Sequence, residues 1–128
     1  MIDHTGFAVS DLQASKLFYS AALGSLGITL ILEVTPEQSG GGGHAGFGAD
    51  GKPFFWIGDR GARPGSLHIA FTAKSRAAVD NFHAAALKAG GRDNGAPGLR
   101  PYYHPNYYGA FILDPDGVNV EAVCHAPE

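Results

Sequence analysis

Hydrophobic and polar positions along the chain change period several times, and each change marks an element. From Ile2 to Val9 the residues alternate, with His4, Gly6 and Ala8 on one side and Thr5, Phe7 and Val9 on the other, which predicts a strand with a small-residue face. Ser10 or Asp11 then serves as N-cap for a helix to about Leu23, where Leu12, Phe18, Ala22 and Leu23 recur at near-helical spacing and Gly24 ends the run. Ile28 to Val34 reads as a strand, Ala45 to Ala49 as a weak one, and Phe54-Phe55-Trp56-Ile57 as a strong one. Ser66 to Ala73 alternates again, with His68, Ala70 and Thr72 on one face, and Ser75 caps a second helix that Gly90-Gly91 terminates. The stretch from Asn94 to Asn106, carrying Pro97, Pro101 and Pro105, predicts a loop. Tyr108 to Cys124 predicts a hairpin around the turn Asp114-Pro115-Asp116-Gly117.

That order of elements occurs twice. Laying His4-Thr-Gly-Phe onto His68-Ile-Ala-Phe gives a shift of 68 − 4 = 64, half of the 128 residues, and the same shift pairs Phe7 with Phe71 and Phe18 with Phe82. The chain therefore predicts one domain of two modules, about 1–60 and about 66–125, joined by the loop Gly58 to Gly65. Each module is a strand bearing an early histidine, a helix, and further strands.

In the last strand, alternation puts Val118, Val120 and Ala122 on one face and Asn119, Glu121 and Val123 on the other. A carboxylate on a covered face is costly to bury unless a cation or strong donors meet it. His4 and His68 occupy equivalent strand positions with small neighbours, and with Glu121 they make a two-histidine, one-carboxylate set. Such a set suits Fe(II), Mn(II), Ni(II) or Zn(II) with positions left open for water or substrate. Arg100, Tyr102, Tyr103, His104, Tyr107 and Tyr108 form an aromatic, polar cluster able to stack on or donate to a ligand.

Composition narrows the function further. The 45% of hydrophobic residues supply a core, and a net charge of −3 with dispersed Lys and Arg lacks the basic stripe of nucleic-acid binding. No apolar run is long enough to cross a bilayer. The single cysteine, Cys124, excludes an internal disulfide and fits a cytoplasmic setting. Gly40 to Gly43 resembles a phosphate loop only superficially, because Lys52 is followed by Pro53 rather than Ser or Thr. Cys124 and His125 point to opposite faces of a strand, which excludes a nucleophilic pair.

Taken together, His4 with Val9-Ser-Asp-Leu12 and Phe18-Tyr19, Leu67-His-Ile-Ala-Phe71, and Asp114-Pro-Asp-Gly117 followed by Glu121 resemble the vicinal oxygen chelate superfamily. That superfamily comprises glyoxalase I, fosfomycin-resistance thiol transferases, extradiol dioxygenases, methylmalonyl-CoA epimerase and bleomycin-binding proteins. The resemblance implies an α+β fold in which two βαβββ modules form a cupped, incomplete barrel, with His4, His68 and Glu121 holding one divalent metal ion. It further implies a metal-dependent enzyme that chelates a small oxygen-bearing substrate, with a non-catalytic small-molecule binding module as the alternative. Glu121, His104 and Tyr108 are the expected catalytic groups, and Phe55, Trp56, Arg100, Tyr102 and Tyr103 the expected substrate contacts. A homodimer is expected, because cupped sheets leave edges to cover. The fourth ligand of glyoxalase I has no counterpart, since the 64-residue shift takes Glu121 to Ile57 among apolar neighbours (121 − 64 = 57); ordinary glyoxalase I activity is therefore not expected.

Overall fold

The computed structural model describes residues 1–128. The first half runs β1 (Thr5–Ala8), α1 (Leu12–Gly24), β2 (Thr29–Val34), α2 (Pro36–Ser39), β3 (His44–Ala49) and β4 (Lys52–Gly58). The second runs β5 (His68–Thr72), α3 (Arg76–Lys88), β6 (Arg92–Leu99), β7 (Tyr108–Leu113) and β8 (Asn119–Cys124). Each half makes its own four-stranded sheet, ordered β1-β4-β3-β2 and β5-β8-β7-β6. In both, the first and last strands pair in parallel and the rest antiparallel. The result is the expected α+β architecture of two βαβββ modules, with no closed barrel.

Local chemistry sets the boundaries. The Asp11 side chain accepts the backbone N–H of Ala14, and Ser75 accepts that of Ala78, so each long helix starts at its cap. At the β7–β8 turn, Asp114 Oδ1 accepts the backbone N–H groups of Asp116 and Val118 at 2.8 and 2.9 Å, while Gly117 takes φ 87°, which a glycine adopts without strain. Two segments differ from the sequence expectation. Residues 92–99, whose second part was expected to be loop, form β6, an edge strand whose pairing is interrupted around Gly95 and Gly98; an edge tolerates Pro97 because its missing N–H need not face a partner. Within the glycine-rich connection, Thr35 and Gln38 form a capping box that starts the one-turn helix α2.

The helices lie between the modules. Tyr19 of α1 packs edge-on against Phe55 at 4.9 Å between ring centroids, and its hydroxyl donates to Asp114 Oδ2 of the other module at 2.6 Å. That bond satisfies a buried carboxylate, and burial raises the Tyr19 hydroxyl pKa well above its usual range. Phe18, one residue before it, faces Gly91 and Ile112 of the second module, a close fit that a Cβ at Gly91 would break by standing 2.7 Å from the Phe18 ring. Phe55 and Phe71 meet at 5.3 Å, so a single cluster of buried side chains runs through both halves. Fully burying side chains of this size contributes roughly 1.5–3 kcal/mol each, and because they belong to one cluster that contribution holds the two modules together.

Because strand residues alternate, the sheet faces turned away from this core are defined by register. On the first sheet Gly6, Trp56, Gly46 and Leu32 form one row across the four strands. On the second, Ala70, Glu121, Phe111 and Gly95 form the matching row. Gly6 and Ala70 keep the 64-residue shift (70 − 6 = 64), but their partners are one residue further apart (121 − 56 = 65). The counterpart of Glu121 is therefore Trp56, not Ile57, and Ile57 is buried on the helix side.

Candidate functional site

Glu121 sits on the open face of the second sheet, yet only 2% of it is exposed. Strand β8 fixes its direction, and the cover comes from its neighbours. The Tyr107 hydroxyl donates to Glu121 Oε1, and Glu121 Oε2 faces His68 Nε2 at 3.0 Å. Gly109, paired beside it, leaves the room: a Cβ there would stand 3.1 Å from Oε1. Burial, and then the bond to Glu121, hold the Tyr107 phenol well above its ordinary pKa, so it stays a donor at all physiological pH.

His68 is oriented from behind. Its Nδ1 lies 3.1 Å from the Asn119 carbonyl, which only accepts, so the Nδ1 proton is committed there. The consequence falls on Nε2. In a neutral His68 that atom carries a lone pair, and it would face a carboxylate oxygen 3.0 Å away. Two acceptors at that distance require a proton between them, on the ring or on the carboxyl, or a metal ion beside both. Phe111 stacks beside the imidazole at 6.1 Å, and Arg100 lies over Phe111 at 5.5 Å while giving two of its N–H groups to the Gly98 and Ala96 carbonyls.

His4 stands just before β1, exposed, on the side of Gly6. Its Nδ1 donates to Asp3 at 2.8 Å, which in the neutral ring leaves the lone pair on Nε2, as in His68. Hydrogen bonds from Lys52 and then His4 lower the Asp3 carboxyl pKa to about 2. Within the chain, however, His4 does not join His68 and Glu121: no group of three His, Cys, Asp or Glu side chains comes together in a way that could hold a metal. The expected convergence of all three inside one chain is corrected on that point.

The remaining expected residues divide. Trp56 lies on the open face of the first sheet, but Phe55 points the other way and is fully buried among Phe7, Tyr19, Phe47 and Phe71. Tyr108 is likewise turned away from Glu121. Its hydroxyl donates to Asp80 of α3 at 2.7 Å and Arg76 lies over its ring, so it ties β7 to the helix. Tyr102 and Tyr103 are exposed at the rim, where Tyr103 packs on Tyr107 at 5.1 Å. His104 accepts the Asn106 backbone N–H on Nδ1 and meets His125, one ring further out than Tyr107. Tyr107 is the group the sequence reading left unassigned. Counting back by twos from Phe111, which pairs with Glu121, would have put Tyr107 on the acid's face and Tyr108 on the other.

Comparison with known proteins decides the family. The model of the Glyoxalase/Bleomycin resistance protein/Dioxygenase superfamily matches residues 1–122. The chain belongs to this superfamily. Among solved structures, a glyoxalase/bleomycin resistance protein from Albidiferax ferrireducens T118 is 29% identical, with a TM-score of 0.78 and 99% of each chain covered. Glyoxalase I from Zea mays is 19% identical at a TM-score of 0.69, and there the match covers 95% of this chain but 43% of that one. A glyoxalase/bleomycin resistance protein/dioxygenase family enzyme from Burkholderia phytofirmans PsJN is 20% identical, with a TM-score of 0.70 over 97% and 98% of the two chains. No curated protein matches the sequence. No helix is long and apolar enough to cross a membrane.

A divalent metal at this superfamily member's acid face is testable against the donors present. Two fit: His68 Nε2, oriented from Nδ1, and Glu121 Oε2, held by Tyr107, are the right atom types with the outer-shell support that metal ligands have. A third protein ligand is missing from the set that one chain assembles.

Proposed function

We propose that this chain is one subunit of a metal-dependent, homodimeric enzyme acting on a small oxygen-bearing substrate, with a divalent ion held by His68 and Glu121 of one copy and His4 of the other. The observation that carries the proposal is the pair of facing acceptors, His68 Nε2 and Glu121 Oε2, 3.0 Å apart with Nδ1 already committed. Completion by a second copy is supported by the layering: α1 and α3 occupy the space between the modules, and alternation puts His4 and His68 on the faces turned away from it. Each histidine has its Nδ1 tied, to Asp3 or to Asn119, which leaves Nε2 as its ligating atom.

When bound, such an ion supplies Lewis acidity toward substrate oxygen. The chain's own groups do the rest. Glu121 offsets the positive charge; Tyr107 fixes the carboxylate and, as a protonated phenol, donates rather than accepts; Phe111 and Arg100 wall the site beside His68. Tyr102, Tyr103 and His104 stand where a substrate would enter. Cytoplasmic residence goes with this reading, and the buried, unpaired Cys124 supports it.

A second reading has one observation in its favour, the lack of a third ligand within the chain. On that reading the protein binds a small molecule without a metal, and His68 is an imidazolium paired with Glu121. Equilibrium dialysis of the purified protein against Zn(II), Ni(II), Mn(II) and Fe(II), with bound metal counted per chain, separates the two. About one ion per chain supports the enzyme; none at any concentration that leaves the protein folded leaves the binding module.

A further inference from the structure

The open face of the first sheet carries chemistry that the Glu121 site does not use. Trp56 lies flat on the backbone of β3: a Cβ built at Gly46 would stand 2.8–2.9 Å from its Cη2, Cζ2 and Cζ3 atoms, so the six-membered ring of the indole rests directly on that glycine. Gly6 flanks it on the other side, with the Trp56 Cβ 3.0 Å from where a Cβ would be. Beside the ring is a cavity of about 260 Å³, lined by Trp56, His44, Gly58 and Arg60 among others. His44 closes one wall, its Nδ1 2.7 Å from a Cβ placed at Gly58. The Arg60 stem lies across Gly42, where a Cβ would meet its Cγ at 2.2 Å, and its guanidinium forms no ion pair with any carboxylate.

A partly buried indole backed by a glycine floor is a stacking surface for a planar ring. An exposed guanidinium at the edge of the same cavity is a fork for a carboxylate. The volume, below the range of drug-sized pockets, suits a single ring. We propose that this face binds a monocyclic aromatic carboxylate, its ring on Trp56 and its anion on Arg60. The cavity is lined by the first module of one chain, on the face that also carries His4, so in the proposed dimer it opens on the ion site; the inference rests on that reading for its role, while the ring and the anion are held by Trp56 and Arg60 without the ion.

Trp56 is the only tryptophan in the sequence, which makes its fluorescence a direct report on this face. The experiment titrates the full-length protein with benzoate, with benzyl alcohol (ring without charge) and with acetate (charge without ring). Benzoate is expected to change the emission saturably, and the other two to bind at least about tenfold more weakly, the loss of one charge-assisted bond or one stacked ring. Arg60→Gln should weaken benzoate by at least about tenfold and leave benzyl alcohol unchanged; because Arg60 is exposed, the variant should keep the wild-type circular dichroism. With a chelator present, so that no ion is held, Glu121→Gln should leave benzoate binding as it is. Linear, unsaturable quenching, equal affinity in Arg60→Gln, acetate binding as tightly as benzoate, or loss of binding in Glu121→Gln would each overturn the proposal, and the last would move the ligand to the other module.

Discussion

Equivalent strands put Trp56 on the open face of the first sheet and Glu121 on that of the second, with Gly6 and Ala70 as their partners on the first strand of each module. Around Glu121 the side-chain partners of the carboxylate are polar and directional: a phenol on one oxygen, an imidazole nitrogen at the other, a carbonyl behind the imidazole. Around Trp56 the contacts are with glycines, and an unpaired arginine lies at the cavity wall. One framework, written twice, thus sets a carboxylate beside an imidazole on one open face and an indole on glycine backbone on the other. The difference turns on what each row puts beside its small residues, since the strand order and register are otherwise shared.

The largest effect should come from removing the charge on the acid face. Glu121→Gln keeps the size of the buried side chain and the partner for Tyr107 but cannot neutralise a cation; we predict a loss of metal affinity of more than about a hundredfold, beyond what outer-shell changes give, measured by competition with a chromophoric chelator. Retained affinity would put the ion elsewhere. On the other face, Gly46→Ala drives a methyl group against three ring carbons of Trp56, and overpacking of that kind costs roughly 1–3 kcal/mol. Urea denaturation should show that loss together with a shift in tryptophan emission, while metal affinity stays at the wild-type value. A coupled loss of both would mean that the two faces are not independent.

Tyr107→Phe should act more gently than Glu121→Gln, lowering metal affinity about tenfold as the removal of an outer-shell bond does. Because Tyr108 turns to Asp80 and Arg76, Tyr108→Phe should leave metal affinity untouched, and the pair of variants together tests the face assignment. The smallest signal should be an absence. With Trp56 where a second acid would be needed, turnover of a glutathione hemithioacetal should stay near background in a coupled spectrophotometric assay, and robust turnover would mean that another group supplies the base.

Much of this was readable before any coordinates. The repeat of His4-Thr-Gly-Phe in His68-Ile-Ala-Phe located both first strands, and period-2 alternation correctly set Glu121 apart from Val118, Val120 and Ala122, which are buried with the core. Three things were not readable, each for a physical reason. One residue of extra spacing in the second module shifts the counterpart of Glu121 from Ile57 to Trp56, which an ungapped overlay cannot register. A run of aromatics such as Tyr102, Tyr103, Tyr107 and Tyr108 looks like one cluster along the sequence, but the strand splits it between two faces, and Tyr107 rather than Tyr108 reaches the acid. Finally, alternation places His4 and His68 on open faces without saying where those faces look. Only the packing of Phe18 and Tyr19 between the modules does that.

The claim that one ion site draws on two copies has a direct test in mixed dimers. His4→Ala and Glu121→Gln proteins, each deficient in metal binding alone, are unfolded together, refolded at equal concentration and assayed for bound metal. If His4 of one copy serves the Glu121 of the other, a mixed twofold dimer concentrates both defects in one site and leaves the second intact, so random pairing should restore roughly one site in four. If the site belonged to a single chain, every site in the mixture would lack one ligand, and no recovery of metal binding would contradict the account.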